Sequence, residues 1–314
     1  MMNTIETPLT TKPTQFKSYK TMRLVSTILA YVLLAVLAII WIYPLLWIVI
    51  SSFVVSPTGQ PTGVPNTYFP TGDNTFGFDN YINLFQSPYR KDGSDFVWYF
   101  KEWFGNTLFV AVVSCVISTA FTLMVAYVMS KIKFSFRKTY LNIALIIGLF
   151  PGFMSMAAIY FILQALKLTG DGNLWALILC NSAGAGTGFY VAKGFFDVVP
   201  NSLMESAKLD GATNAQIFWH IILPMSKPIL IYQALMAFTG PWMDFIFAKV
   251  ILGDKAEFWT VSVGLYNSMF GEKPDTTVFS VFAAGCVCVA VPIVTLFMFL
   301  QKYYVEGVTA GSVK

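Results

Sequence analysis

The chain has 314 residues, of which 56% are hydrophobic and only 11% charged, with a mean hydropathy of +0.64. A water-soluble domain carries about a quarter charged residues, so lipid must be the solvent for most of this surface, and a soluble enzyme fold is excluded. The net charge of +4 calls for no nucleic-acid partner, because the basic residues are placed as determinants of membrane topology.

Residues 1–23 are polar, rich in Thr and Lys, and lack the apolar core and cleavage site of a signal peptide. They are expected to form a disordered cytoplasmic tail ahead of a retained anchor. Six apolar runs are long enough to cross a hydrocarbon core of about 30 Å: residues 24–53, 104–130, 140–166, 174–192, 228–251 and 278–300. The expected fold is an all-α integral membrane protein, with six transmembrane helices within residues 24–300 and both termini on one side. The first connection, residues 54–103, is long and contains Trp98, Tyr99 and Trp103. Aromatics near span ends suit an interfacial belt. The next connection carries Lys131, Lys133, Arg137 and Lys138. With Lys12, Lys17, Lys20, Arg23, Lys193, Lys208, Lys227, Lys302 and Lys314, these basic residues fall on the side of the termini. Residues 54–103 instead carry Asp73, Asp79, Asp92, Asp95 and Glu102 against Arg90, Lys91 and Lys101. The excess of Lys and Arg places both termini and residues 193–227 in the cytoplasm, and residues 54–103 and 252–277 outside.

Gly148 to Gly152 and Gly184 to Gly188 each have the Gly-x-x-x-Gly spacing that lets helices approach closely. In a transporter such clusters also mark unwound stretches; packing is the favoured reading. Asn181, Gln164 and Gln233 are polar residues within spans, suited either to joining helices or to lining a passage. Cys115, Cys180, Cys286 and Cys288 all fall inside expected spans, where Cys behaves as a small apolar residue; neither a disulfide nor a metal site is expected of them.

Between spans four and five lies a polar, helix-forming insert. Ser202 and Glu205 have the spacing of a capping box, in which each side chain bonds the other's backbone N–H. The helix should run to Leu209 and stop at Asp210-Gly211, since Gly tolerates the left-handed conformation. Thr213 and Gln216 form a second capping box and start another helix, which holds the chain's one histidine, His220. Pro224 and Pro228 interrupt or redirect it. Two short helices about a sharp turn at Gly211 make a docking element.

This insert strongly resembles the EAA loop of ABC-importer permeases, whose pattern is Glu-Ala-Ala, then Gly, then Ile-x-Leu-Pro. Glu205, Ala207, Gly211, Ile221, Leu223 and Pro224 match it, and Ser206 replaces the second residue. In that family the loop is a coupling helix seated in a groove of a separate ATPase subunit. The resemblance implies that role for Glu205, Ser206, Ala207, Asp210, Gly211, Ile221, Leu223 and Pro224.

The fifth span contains Asp244, in Gly240-Pro241-Trp242-Met243-Asp244-Phe245. An ionisable group in hydrocarbon is costly and is a functional candidate by default. Asp244 could accept sugar hydroxyls beside the face of Trp242, with Asn181 also on the pathway. Alternatively it bonds backbone freed by Pro241, and this second reading is favoured. Residues 252–277 follow, with Trp259, Tyr266, Asn267, Phe270 and Gly271. In maltose importers the similar last outer loop reaches into the open solute-binding protein. By that resemblance residues 262–272, with Tyr266, Asn267, Phe270 and Gly271, dock the binding protein or dislodge its substrate. The carboxyl end, residues 306–314, resembles the Gly-x-Thr-Ala-Gly-x-Val-Lys tail of the second permease subunit of such importers. That implies an ATPase contact, as an extended strand, through Gly307, Thr309, Ala310, Gly311 and Lys314; the alternative is a frayed, solvated terminus.

No phosphate-binding loop of the Gly-x-x-x-x-Gly-Lys-Ser/Thr kind occurs, and no zinc or nucleophile constellation. The chain is expected to be no enzyme and to carry no cofactor, with ATP and Mg bound by a partner ATPase. The resemblance implies one of two unlike permease subunits of a maltose/maltodextrin-type ABC importer in a bacterial cytoplasmic membrane. Its partners would be a second permease, an ATPase dimer, an extracellular solute-binding protein and the sugar. The alternatives are an importer of another oligosaccharide or of glycerol phosphate, an ion-driven secondary transporter, and a scaffold. The secondary transporter would want paired membrane carboxylates or internal repeats; one membrane Asp and no repeat are found.

Overall fold

A computed structural model describes residues 15–310, apart from residues 66, 87, 92, 151, 171, 185–187 and 273. Helix α1 (Gln15–Ser52) runs 38 residues, about 57 Å at the α-helical rise. Residues 15–23 are therefore helical, against the expectation of a disordered tail; residues 1–14 lie outside the described residues. Gln15 to Arg23 contains no Pro or Gly, and extending an existing helix is far easier than nucleating one. The chain then forms a small antiparallel ribbon, β1 (Val54–Val55) with β2 (Thr75–Phe76), in which Val54 faces Phe76 and Val55 faces Thr75.

Next come α2 (Asp79–Phe85), α3 (Phe100–Lys131), α4 (Arg137–Gly148), α5 (Gly152–Ala165), α6 (Leu174–Ala183), α7 (Tyr190–Val198) and α8 (Asn201–Leu209). Helix α9 (Asn214–Ile217) continues through a π-helical turn, Phe218–Ile222, into α10 (Leu223–Met225). The last elements are α11 (Lys227–Met243), α12 (Ile246–Leu252), α13 (Val261–Phe270) and α14 (Phe279–Ala310), with single 3-10 turns at Ala256–Phe258 and Thr276–Val278.

Among the described residues, three helices are long and apolar enough to cross a membrane unaided: Met22–Ser52, Phe100–Lys131 and Thr276–Lys302. A fourth is added if Asn214–Met225 and Lys227–Met243, bent by 87°, count as one span. The other expected spans are each interrupted. Residues 140–166 divide into α4 and α5, residues 174–192 into α6 and α7, and residues 228–251 into α11 and α12. The first two breaks sit at Gly or Pro, which cost a helix interior about 1 and about 3 kcal/mol respectively, and the third falls at Asp244–Phe245, three residues after Pro241. The Gly-x-x-x-Gly pairs take part in these breaks and do not pack helices within this chain. A Cβ added at Gly148, Gly152 or Gly184 would meet nothing within 4 Å.

Helix α3 is the axis of the fold, with α6, α7 and α11 packed along it. Its buried row Ser114, Ser118, Thr122 and Ala126 recurs every four residues, and such small side chains let neighbouring helices come close. An apolar cluster sits at each end of it. One gathers Trp98, Phe100, Trp103, Val110, Ile251, Val261 and Val278. The other gathers Leu123, Tyr127, Phe189, Phe196, Ile217 and Ile222.

The first cluster is a cap folded from the two long connections. Trp98 and Trp103 are fully buried in it, so they are core residues and do not form the interfacial belt expected for them. The Trp103 indole N–H donates to the Ala256 carbonyl at 2.6 Å. The Thr107 hydroxyl accepts from the Val261 N–H at 2.8 Å, and the Asn106 amide donates to the Trp259 carbonyl at 3.1 Å. Helix α13 approaches so closely that a Cβ on Gly264 would lie 2.2 Å from the Trp103 ring.

Candidate functional site

The coupling-type residues are brought together at the second cluster, on the hairpin formed by α8 and α9–α10. Pro200, with φ of −59°, precedes α8 directly, so Ser202 is its second residue and makes no cap. The expected Ser202–Glu205 capping box is therefore absent: the helix starts one step too early for it. The stop forms as expected. Gly211 has φ of +83°, the Ala212 N–H reaches the Ala207 carbonyl at 2.9 Å, and the Gly211 N–H reaches that of Lys208 at 3.1 Å. This pair of bonds is the Schellman closure that a left-handed residue permits. The Thr213 box also forms: its hydroxyl accepts from the Gln216 N–H at 3.3 Å, and the Gln216 side chain accepts from the Thr213 N–H at 2.8 Å.

Glu205, Ser206, Asp210, Gly211 and Pro224 are exposed, whereas Ala207, Ile221 and Leu223 are half-buried against the hairpin's support. Ile217 and Ile222 are fully buried. Phe218 stacks on Tyr127 at 5.1 Å between centroids, and the Tyr127 hydroxyl donates to the Asn214 carbonyl. Pro224 has no N–H to offer the preceding turn, and the π-helical turn stands just before it, with the Leu223 N–H reaching five residues back to Phe218. Sequence reasoning missed Leu209, an apolar side chain 89% exposed at the hairpin tip.

Polar bonds tie this end to α3. Asp197 accepts from the Ser130 hydroxyl at 2.6 Å and from the Lys193 ammonium at 2.6 Å. The Lys131 ammonium donates to the Val199 carbonyl at 2.6 Å and to Asn201 Oδ1 at 3.1 Å. For Asp197 burial acts upward, yet the hydrogen bonds from Lys193 and Ser130 and the Lys193 and Arg137 charges hold it below the usual carboxylate range.

The pathway candidates are not brought together as a sugar site. Asp244 ends α11 in an extended conformation. Its Oδ1 accepts from the Phe247 N–H at 3.2 Å, bracing the first turn of α12, and its carbonyl accepts from the Ser262 hydroxyl at 2.6 Å. Asp244 thus bonds the backbone of the next helix and not backbone freed by Pro241. Trp242 is 3% exposed, packed on Phe104 and Phe238, so it has no free face for a solute. The Asn181 amide donates to the Leu177 carbonyl of its own helix at 3.0 Å.

Tyr266, Asn267 and Phe270 stand on α13, a helix where a loop was expected, and Gly271 caps it. Tyr266 lies 4.1 Å from Phe245 and 5.5 Å from Phe270 between ring centroids. They border an open cleft of about 800 Å³ shared with Lys249, Asp254, Trp259 and Glu272. Phe245, Lys249 and Asp254 were missed because only the break at Asp244 sets α12 beside α13. At the carboxyl end, α14 continues to Ala310. Gly307, Thr309 and Ala310 are thus helical where an extended strand was expected; Gly311 and Lys314 lie outside the described residues. Among the described residues no cluster of three metal-ligating side chains occurs.

Residues 118–309 match the family described as binding-protein-dependent transport system inner membrane component. The chain is 35% identical over 298 residues to the maltodextrin transport system permease protein MalD of Streptococcus pneumoniae, covering 95% of this chain and 99% of that protein. It is 33% identical over 296 residues to the galactooligosaccharides transport system permease protein GanQ of Bacillus subtilis, covering 94% and 98%. A crystal structure of a bacterial ABC transporter that imports the acidic polysaccharide alginate shares the fold, with a TM-score of 0.70 at 20% identity over 93% of this chain and 100% of that one. The apolar helices, the hairpin and these matches agree: the chain belongs to the binding-protein-dependent transport system inner membrane components, as an integral membrane permease of the ABC sugar-importer type.

Proposed function

We propose that this chain is one of two unlike permease subunits of an ATP-driven importer for oligosaccharides, with maltodextrin as its substrate. In this reading residues 24–300 make six crossings, the broken pairs α4–α5, α6–α7 and α11–α12 each counting as one. Residues 193–227 and both termini face the cytoplasm. ATP and Mg are bound by a partner ATPase dimer, and the solute arrives on an extracellular binding protein. Glu205, Ser206, Ala207, Asp210, Gly211, Ile221, Leu223 and Pro224 engage the ATPase. Residues 307–314 make a second ATPase contact, and Tyr266, Asn267, Phe270 and Gly271 meet the binding protein. Asp244 and Trp242 serve the passage by holding the α11–α12 break, and Asn181 by bonding within α6.

The observation that carries this reading is the hairpin. It is capped at both helix junctions, anchored by Ile217, Phe218 and Ile222, and presents Glu205, Asp210 and Leu209 outward. A polar surface rigidly tied to a membrane bundle suits a partner that pushes on it. The choice of maltodextrin rests on the likeness to maltodextrin permeases over nearly the whole chain.

The test is mild detergent extraction of the chain from its native membrane, with mass spectrometry of what remains bound. A stoichiometric ATPase and a second, non-identical permease are expected, and the reconstituted complex should take up maltotriose only with ATP and a binding protein. Recovery as a lone chain or homo-oligomer, where other membrane complexes survive the same extraction, would refute it.

A further inference from the structure

The cleft between α12 and α13 has a composition that docking alone does not require. Tyr266 and Phe270 are 44% and 66% exposed, and their rings run on from half-buried Phe245 as a row of three rings, each tilted on the next. Oxygen acceptors stand around it. The Asp254 side chain is 99% exposed, and one of its oxygens meets the Lys249 ammonium at 3.1 Å. Glu272 is exposed and also lines the cleft. The Asn267 amide N–H donates to the Val263 carbonyl at 2.8 Å, which leaves its carbonyl oxygen as an acceptor. The one described cation of the lining, Lys249, is already engaged, by Asp254 and by the Trp259 ring 4.4 Å away.

Aromatic faces flanked by acceptors suit a pyranose ring, whose axial C–H groups are apolar and whose rim is all hydroxyl donors. The volume of about 800 Å³ falls within the range of small-ligand sites. Among the described lining residues two carboxylates stand against one paired ammonium, so a sugar bearing its own carboxylate would be repelled.

We propose that this cleft is a contact site for neutral oligosaccharides, with Tyr266 and Phe270 as stacking faces and Asp254, Asn267 and Glu272 as hydroxyl acceptors. It rests on the importer reading, and in that topology it is where sugar first meets this subunit on leaving the binding protein. The α12–α13 junction then has two uses in one cycle: it receives the binding protein and it holds the released sugar.

The test uses the wild-type complex, assembled with its partner permease and ATPase in lipid nanodiscs, without binding protein. Maltotriose carrying a photoactivated diazirine is irradiated in the complex, and the adducts are mapped by peptide mass spectrometry. Adducts within residues 245–272 are expected, competed by excess maltotriose and not by an oligo-uronate. Replacing both rings (Tyr266→Ala with Phe270→Ala) should weaken the competing affinity about threefold to tenfold, the worth of an aromatic contact. Tyr266→Phe should leave it unchanged. Absence of adducts here in a complex that still imports maltotriose overturns the site alone, as does equal competition by the uronate. If the double variant fails to assemble, the wild-type adduct map decides. Import is read separately, from the same complex in liposomes with ATP and its binding protein, and uptake of no neutral oligosaccharide there overturns the importer reading instead.

Discussion

Both ends of α3 are seated by contacts from distant segments, but the parts they carry are shaped differently. At one end the cap is joined by contacts between segments far apart in sequence: Trp103 to Ala256, Asn106 to Trp259, Thr107 to Val261. Its core is aromatic and fully buried, and Gly264 admits the Trp103 ring where no other residue would fit. At the other end the hairpin takes its shape from bonds spanning three to five residues, the Gly211 closure and the Thr213 box, and is seated on α3 by apolar side chains and by polar bonds from Tyr127 and Lys131 at the helix end. Long-range burial makes a rigid part, because many groups must separate before any one moves. Local caps make a part that keeps its own shape while its seat shifts.

This contrast can be broken first at the cap. Trp103→Ala removes a buried ring and orphans the Ala256 carbonyl, and core Trp truncations cost about 3–5 kcal/mol. Thermal unfolding in detergent should fall strongly, while cross-linking of a cysteine placed in the hairpin to the ATPase should persist in the fraction that assembles. A smaller effect is expected at the hairpin. Gly211→Ala forces a Cβ into the left-handed region at a cost of about 1–2 kcal/mol, and Thr213→Ala loses a cap worth about 1 kcal/mol. Both should lower unfolding less than Trp103→Ala does and also lower the transport obtained per ATP hydrolysed. Unchanged coupling in Gly211→Ala would remove the special role given to the hairpin's shape.

The smallest effect concerns Asp197, whose folded value is depressed. A depressed carboxylate adds stability that is present above its unfolded value, near 3.8, and is lost as pH falls through the folded one. Melting curves of the wild type and Asp197→Asn should therefore differ by a constant amount from about pH 5 upward and converge in stronger acid. Convergence at alkaline pH instead would contradict the bonding described.

What was legible in the sequence follows the same division. The Gly211 stop and the Thr213 box were readable because their partners lie within five residues. The apolar runs were readable because span length is a local property. The breaks within three of those runs were not, since hydropathy averages over Gly and Pro. Trp98 and Trp103 looked like belt residues because nothing nearby shows that residues 252–277 will fold over them. The Ser202 box failed for a local reason: Pro200 starts the helix early, and a motif one position out of register forms no cap.

The 87° bend at Ser226 gives the molecule the form of a bell crank. The short arm, Asn214–Met225, is about 18 Å long and the long arm, α11, about 26 Å, at the α-helical rise per residue. With both arms rigid, a displacement pressed on the hairpin tip reappears at Met243 turned through a right angle and enlarged by about half, in proportion to the arm lengths. Met243 adjoins Asp244, where α11 gives way to α12. A push on the hairpin would thus become a sideways stroke at the junction of α11 and α12.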